Sequence, residues 1–155
     1  MSSVDSPVAY PVDPDLVSVR PQMTATLMAQ TGLDDEILTL LVHRFYAKVR
    51  ADPVLGPIFD ARIDDWEPHL ERMSAFWSSV ALMTGRYRGA PVPAHASLPV
   101  NWSDFERWLV LFRETARETC TPEGADHLIE RAERIARSLH MAVEDAKPRS
   151  VPSLL

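Results

Sequence analysis

Residues 35–50 read DEILTLLVHRFYAKVR, and this stretch decides the fold class. Apolar residues recur in it every three or four positions, the pattern of one stripe of an amphipathic helix: Leu38, Leu41, Phe45 and Val49. An acidic residue at position 34 or 35 favours the positive end of such a helix. Asp52-Pro53 ends it, because the residue before a proline resists helical backbone angles. The sequence therefore predicts a helix over residues 35–50.

Three further segments carry the same helical spacing. One helix is predicted from about residue 64 to residue 84, and another opens at Ser103, where Ser103 and Glu106 fit the pattern of a capping box. The last follows Thr121-Pro122-Glu123 and runs to about residue 145. Residues 54–59 are predicted to form a tight apolar turn or a single helical turn. No segment has the alternation of a strand, so the predicted class is all-α.

The chain is predicted to have one folded domain with a flexible segment at each end. Residues 1–30 are interrupted by prolines and show no helical periodicity before Met23, so we expect a flexible, Pro-rich N-terminal extension. Residues 31–145 should form the domain, and residues 146–155 a flexible C-terminal tail. Within the domain, the Pro-rich stretch 90–99 is too interrupted for a long helix, and one helical turn is predicted around residues 93–97.

Composition restricts the class of protein. With 155 residues, 46% of them hydrophobic and 25% charged, the chain suits a single soluble domain. A formal net charge of -6 argues against nucleic acid or an anionic membrane as the partner. No apolar run approaches the ~20 residues of a transmembrane helix, and no secretory signal is evident at the start. The single cysteine, Cys120, cannot form an internal disulfide. A cytoplasmic location is therefore expected by elimination.

Ring-bearing residues spread over several predicted helices are the main chemical feature. In a helical chain without another chemical signature, they favour a flat, apolar, metal-containing ligand such as haem. His95 lies in a segment stiffened by Pro91 and Pro93, where an imidazole could be held against such a ligand. Spacing alone favours the simpler interpretation of a solvated loop histidine. Outside any resemblance, Tyr46 would likewise be a core-edge residue and Trp108 a packing residue.

Several motifs occur in register along the folded part of the chain. They are FYAKVR at 45–50 followed by Asp52-Pro53, LGPIF at 55–59, WEPH at 66–69, Phe76-Trp77, YRG at 87–89, PAH at 93–95 and WLVLF at 108–112. In this order, they resemble the truncated haemoglobins, and more narrowly the third group of that family. The resemblance covers roughly residues 35–143. The absence of a Gly-Gly pair also suits the third group, because the first two groups typically carry glycine pairs.

The resemblance implies a two-over-two helical sandwich around haem b and assigns residues to it. His95 falls on the proximal ligand of the iron, and Tyr46, His69 and Trp108 fall on the distal positions that stabilise a bound gas. The other cofactor-binding residues implied by the match are an arginine partner for a haem propionate and a set of apolar residues against the haem: Arg72, then Phe45, Phe59, Met73, Phe76 and Trp77.

The function implied by the resemblance is binding of dioxygen and other diatomic gases, CO and NO, at a five-coordinate haem iron. A polar distal pocket suits tight retention of dioxygen, or redox chemistry of dioxygen, NO or peroxide, better than transport. The sequence leaves open whether the chain is an enzyme, with peroxidase and nitric oxide dioxygenase as the candidate activities. A reductase as electron donor and a monomeric state are further expectations.

Two other classes remain open from the residues alone. The amphipathic helices could form a cofactor-free helical interaction module whose rings only fill a core. A zinc hydrolase is a weaker alternative, since no His-Glu-x-x-His motif occurs and only His69 and His95 would offer nitrogen ligands. The remaining histidines, on helices rich in charge, are predicted to face solvent: His43, His127 and His140.

Overall fold

Helices make up the fold of the computed structural model, which describes residues 14–89, 91, 95 and 98–148, with side chains from residue 21 onward. In chain order the helices are α1 (Pro14–Thr31), α2 (Asp35–Ala51), α3 (Leu55–Asp60), α4 (Trp66–Leu82), α5 (Trp102–Thr119) and α6 (Pro122–Ala146). These described residues include no strand. The prediction of an all-α chain is confirmed, and residues 54–59, predicted as a tight apolar turn or a single helical turn, lie at the short helix α3. The helical turn predicted around 93–97 lies outside the described residues except at His95, whose backbone is helical.

The four long helices α2, α4, α5 and α6 form two pairs stacked on each other. One pair is α2 with α4 and the other is α5 with α6. Between the pairs, α2 packs on α5 and α4 packs on α6. The short helix α3 packs against α2 and α5, and α1 packs across α4 and α6. The centre of the stack is filled by buried apolar side chains, the largest of which include Phe45 and Phe112. This two-over-two arrangement is the framework of the site described below.

Side-chain caps fix where four of the helices begin, and at α4 the Asp65 carboxylate accepts from Glu67 N at 3.3 Å. The Asp34 carboxylate accepts from Ile37 N at 2.8 Å, as expected for the start of α2. Thr121 accepts from Gly124 N at 3.1 Å at the start of α6. The predicted Ser103–Glu106 capping box is wrong: Asn101 and Asp104 form it, and α5 begins two residues earlier. Asn101 competes successfully because its amide oxygen reaches the Asp104 amide, while Ser103 donates back to Asn101.

The prediction of no helix before Met23 is also wrong, because α1 starts at Pro14. Proline is tolerated in the first helical turn, and Pro21 lies inside the helix without ending it. Contacts with the domain stabilise this helix: Thr24 Oγ1 donates to Leu82 O at 2.6 Å, and Thr121 Oγ1 donates to Thr31 O at 2.7 Å. Residues 1–13 and 149–155 lie outside the described part, so flexible ends there stay a prediction. No helix in the described ranges is both long and apolar enough to cross a membrane.

Asp52 ties three helices together at the end of α2. Its carboxylate accepts from Val54 N and Leu55 N at 3.0 and 2.9 Å, and from Arg107 Nε on α5 at 2.8 and 2.7 Å. We expect Asp52→Ala to lower the free energy of unfolding by about 1–2 kcal/mol, as for other carboxylate caps. Urea unfolding at neutral pH measures this loss. Arg107→Ala, which keeps both backbone bonds, should lose less, and an equal loss in both variants would contradict a capping role.

The same carboxylate predicts a pH dependence. The hydrogen bond from Arg107, together with the two amides, lowers the pKa of Asp52 below its ordinary value. The Asp52 carboxylate therefore makes its full contribution to the free energy of unfolding above pH ~4, the usual pKa of an aspartate. This contribution is lost as the pH falls through the lowered pKa. The difference in the free energy of unfolding between wild type and Asp52→Asn should therefore become smaller below pH ~4.

Candidate functional site

A cavity of about 340 Å³ lies within the helical stack. Side chains from every helix except α1 contribute to its wall, together with Pro91 and His95 from the segment before α5. The wall is mainly apolar, with a few polar side chains. Both the volume and this mixture are typical of pockets that hold a cofactor or a small molecule.

Tyr46 and His69 meet at one part of the cavity wall. Their ring centroids are 5.2 Å apart in an edge-to-face arrangement. Tyr46 is buried, its side chain lines the cavity, and its hydroxyl has no hydrogen-bond partner among the described residues. Burial raises the pKa of the Tyr46 phenol far above its ordinary value, because a phenolate would lose its hydration. Tyr46 therefore stays protonated and offers an O–H donor to the cavity.

His69 carries an unsatisfied ring nitrogen. Its Nε2 atom is buried and makes no hydrogen bond within the described part of the chain. A buried polar atom without a partner costs about 1–3 kcal/mol, so such an atom usually marks a place where a ligand supplies the partner. Burial lowers the pKa of the His69 imidazole to about 4, and the charges of Arg72 and His95 act in the same direction. The ring is thus neutral at physiological pH.

Trp108 contributes an indole to the same cavity. Its ring stacks on Phe112 at 5.5 Å and meets the edge of Phe45 at 5.2 Å, so packing fixes its orientation. Trp108 Nε1 has no acceptor among the residues that the structure describes. Trp108 is partly buried, and a buried indole N–H normally finds a partner. Like Tyr46, Trp108 therefore presents a fixed donor without a protein acceptor.

His95 also lines the cavity, and one of its ring nitrogens is already engaged. Its Nδ1 lies 2.6 Å from Pro91 O. A carbonyl oxygen can only accept, so the proton sits on Nδ1 and the lone pair is left on Nε2. A histidine that binds a metal typically has its other nitrogen bonded to a backbone carbonyl in this way. The geometry makes His95 Nε2 a suitable metal ligand on the cavity wall.

The other predicted cofactor contacts divide into three groups. Four apolar residues line the cavity: Phe59, Met73, Phe76 and Trp77. Arg72 also lines it, with an exposed side chain at the rim. Phe45 does not: it is fully buried behind the wall, where it contacts Tyr46, Trp108 and Phe112. Its neighbour Tyr46 lines the cavity instead, and the contact of Phe45 with a haem stays a prediction.

The sequence did not identify several other wall residues. Ile135 and Leu139 of α6 line the cavity and are only partly buried. Tyr87, just after the end of α4, also lines the wall and meets Phe76 edge to face at 5.1 Å. The spacing of four between Ile135 and Leu139 was visible in the sequence. However, periodicity does not distinguish a packed face from one that borders a cavity.

The prediction that three histidines face solvent holds for one of them. His43 is exposed. His127 is half-buried, and its Nε2 lies 2.8 Å from Ala81 O, the acceptor near the end of α4. Burial lowers the pKa of His127. His140 is half-buried against Trp102 and Phe105, with ring centroids 5.1 and 5.7 Å away. His127 packs against α4 and His140 against α5, so the prediction for His127 and His140 is wrong.

These observations test whether the residues fit the haem implied by the resemblance. An imidazole with an available Nε2, an apolar slot and an orphaned polar atom at His69 all suit a flat apolar group that carries a metal and a small ligand. Among the described residues, no three His, Cys, Asp or Glu side chains come together as a metal site. The zinc alternative therefore lacks a ligand set there, whereas the haem fits.

Comparison with known proteins agrees with this geometry. No family model matches the chain. The group 3 truncated hemoglobin of Campylobacter jejuni is 35% identical over 109 residues, which cover 67% of this chain and 86% of that protein. The crystal structure of group III truncated hemoglobin from Campylobacter jejuni superimposes with a TM-score of 0.69 at 31% identity, over 76% of this chain and 96% of the other. The chain therefore has the all-α globin fold and belongs to the group III truncated haemoglobins.

Proposed function

We propose that this protein holds haem b in the cavity and binds dioxygen, CO and NO there at a five-coordinate iron. The observation that carries the proposal is the state of His95: its Nδ1 is committed to Pro91 O, and its Nε2 is left available on the cavity wall. The haem would supply the iron and an open coordination position for a diatomic gas. Side chains of the protein would hold the haem and would donate hydrogen bonds to the bound gas.

The side chains that would hold the haem are already at the cavity. His95 Nε2 would be the axial ligand of the iron, and the apolar side chains of Phe59, Met73, Phe76 and Trp77 would contact the ring. Arg72, exposed at the rim, would pair with a propionate, since a guanidinium suits a carboxylate. Desolvation of these apolar side chains by a flat ligand favours binding in proportion to the area covered.

Three polar groups would act on the gas. Tyr46 and Trp108 offer O–H and N–H donors without protein acceptors, and the neutral His69 ring adds a third. A hydrogen bond to a charged acceptor contributes about 1.5–3 kcal/mol. One such bond would slow release of a polarised ligand by roughly 10- to 150-fold. Slow release suits retention of dioxygen, or redox chemistry of dioxygen, NO or peroxide, better than transport.

The absorption spectrum of the purified protein tests this function. Expressed with iron and a haem precursor, or mixed with haemin, the chain should bind haem at one equivalent per chain. The reduced protein should show a five-coordinate spectrum, and CO should convert it to a six-coordinate one. A folded but colourless protein that takes up no haemin would contradict the proposal.

The remaining expectations rest on this function. Peroxidase or nitric oxide dioxygenase activity would each need an electron donor, for which a reductase is the natural class of partner. The cofactor-free interaction module is the less suitable alternative. A bundle that only packs its rings has no use for a cavity of about 340 Å³ with an orphaned His69 nitrogen in its wall.

A further inference from the structure

Trp66 contacts two of the distal side chains from outside the cavity. It is the first residue of α4, and its ring lies 5.7 Å from that of Tyr46 and 5.6 Å from that of His69. Trp66 itself is half-buried and does not belong to the cavity wall. It therefore forms a second layer behind the residues that face the gas.

Polar anchors from two other helices hold Trp66 in this place. The Arg50 guanidinium of α2 lies 4.6 Å above the indole ring, a cation–π contact. Trp66 Nε1 donates to Asp60 Oδ1, at the end of α3, at 3.3 Å. Phe59 stacks against the same indole at 6.5 Å. Arg50 and Asp60 are exposed and Tyr46 is buried, so Trp66 connects surface side chains with a buried distal ring.

His69 depends on this packing for its orientation. The Nε2 atom of His69 is enclosed and makes no hydrogen bond within the described residues. Its ring contacts come from Tyr46 at 5.2 Å and Trp66 at 5.6 Å, and these two rings also contact each other at 5.7 Å, so the three rings pack as one cluster. Trp66 and His69 are three positions apart and so share one face of α4. Without the indole, the imidazole would have open space on its outer side.

We propose that Trp66 is a positioning residue of the distal side: it holds the His69 ring inward against Tyr46 and closes the outer route to the cavity, with Arg50 and Asp60 as its anchors. The role of this arrangement in gas binding rests on the proposed haem function. The inward position of His69 does not depend on haem, so it can be measured on the protein without testing gas binding. Loss of the indole lets His69 turn outward and opens the cavity to small ligands.

Diethyl pyrocarbonate acylates accessible neutral imidazoles, so the rate of acylation at His69 measures how accessible its ring is. The full-length chain and its variants are treated briefly, and the rate at each histidine is taken from peptide masses relative to the exposed His43. Trp66→Ala should raise the relative rate at His69 by about 3- to 10-fold, the range expected from the loss of one edge-to-face ring contact. Trp102→Ala is the matched control, since Trp102 covers His140 in a similar way. It should raise the rate at His140 and leave His69 unchanged.

Two milder variants keep the test decisive if Trp66→Ala fails to fold. Asp60→Ala and Arg50→Gln remove only exposed anchors, so each should raise the His69 rate by a smaller factor, about 2-fold. If Trp66→Ala also exposes His127 and His140, that variant is unfolded and the two milder variants decide. An unchanged His69 rate in the folded variants overturns the proposal, whether or not the protein binds haem.

Ligand binding gives the second readout. In the haem-loaded protein, Trp66→Ala should speed CO association and shift the Fe–CO stretching band, because His69 leaves its inward position. Trp102→Ala should change neither. A faster His69 acylation without any change in CO association or in the Fe–CO band would show that Trp66 only packs. A wild-type protein that binds no haem would refute the proposed function and leave the acylation result standing.

Discussion

His95→Ala should abolish stoichiometric haem binding while leaving the helical fold intact. The substitution removes the ring whose Nδ1 is fixed to Pro91 O and whose Nε2 lies available at the cavity. Loss of a residue that merely supports a metal ligand costs about 10- to 100-fold in affinity, so loss of the ligand itself should cost more than ~100-fold. Haemin titration followed by absorbance, with circular dichroism as the check on folding, measures both effects.

Two controls separate ligation from general damage. His43→Ala, at an exposed position, should bind haemin like wild type. Free imidazole should restore part of the haemin binding of His95→Ala, because it can occupy the space left by the side chain and offer the same nitrogen. A normal haem-to-protein ratio in His95→Ala, with unchanged iron ligation, would remove His95 from the assignment.

The four long helices of the domain could be predicted because burial imposes a period on their sequences. Residues 35–50 needed only their apolar stripe and the acidic cap at Asp34, and Thr121-Pro122 marked the start of α6. The start of α5 was misplaced, because Asn101 and Asp104 fit a capping box almost as well as Ser103 and Glu106 do. Which pair forms depends on where the preceding chain approaches, and the sequence does not encode that approach locally.

Helix α1 could not be predicted for a different reason. It has no clear apolar stripe and carries Pro21 in its interior, so local rules argue against it. Its stability comes from contacts between distant residues, such as Thr24 with Leu82 O and Thr121 with Thr31 O. Tertiary contacts often outweigh propensity in this way.

The site residues were predictable only in part, even with the family resemblance. Phe45 and Tyr46 are consecutive on α2 and only Tyr46 lines the cavity, whereas the consecutive Phe76 and Trp77 of α4 both line it. The sequence pattern does not distinguish these two cases. The lack of protein partners at His69 Nε2 and the bond from His95 to Pro91 O are properties of the folded geometry. Trp66 occurs in the motif WEPH at 66–69, but the sequence did not indicate that its ring packs behind Tyr46 and His69.

Tyr46→Phe should speed release of dioxygen from the haem-loaded protein by about 10- to 150-fold. The substitution keeps the ring contacts with Phe45, Phe59 and His69 and removes only the hydroxyl. A donor lost from a charged acceptor costs about 1.5–3 kcal/mol, which sets this range. Stopped-flow displacement of dioxygen by CO measures the rate. Tyr87→Phe is the matched control, since it removes a second cavity-lining hydroxyl from outside the predicted polar set.

The protonation state of Tyr46 sharpens this prediction. Burial raises the pKa of its phenol well beyond the usual value near 10, so the donor should persist through alkaline pH. The release rate of wild type should therefore show no step near pH 10, whereas a solvated tyrosine would produce one. Trp108→Phe, which removes the indole donor, should also speed release, and the double variant should exceed either single one. If Tyr46→Phe releases dioxygen at the wild-type rate, with Trp108→Phe faster, the hydroxyl does not act on the ligand and Trp108 is the donor that retains it.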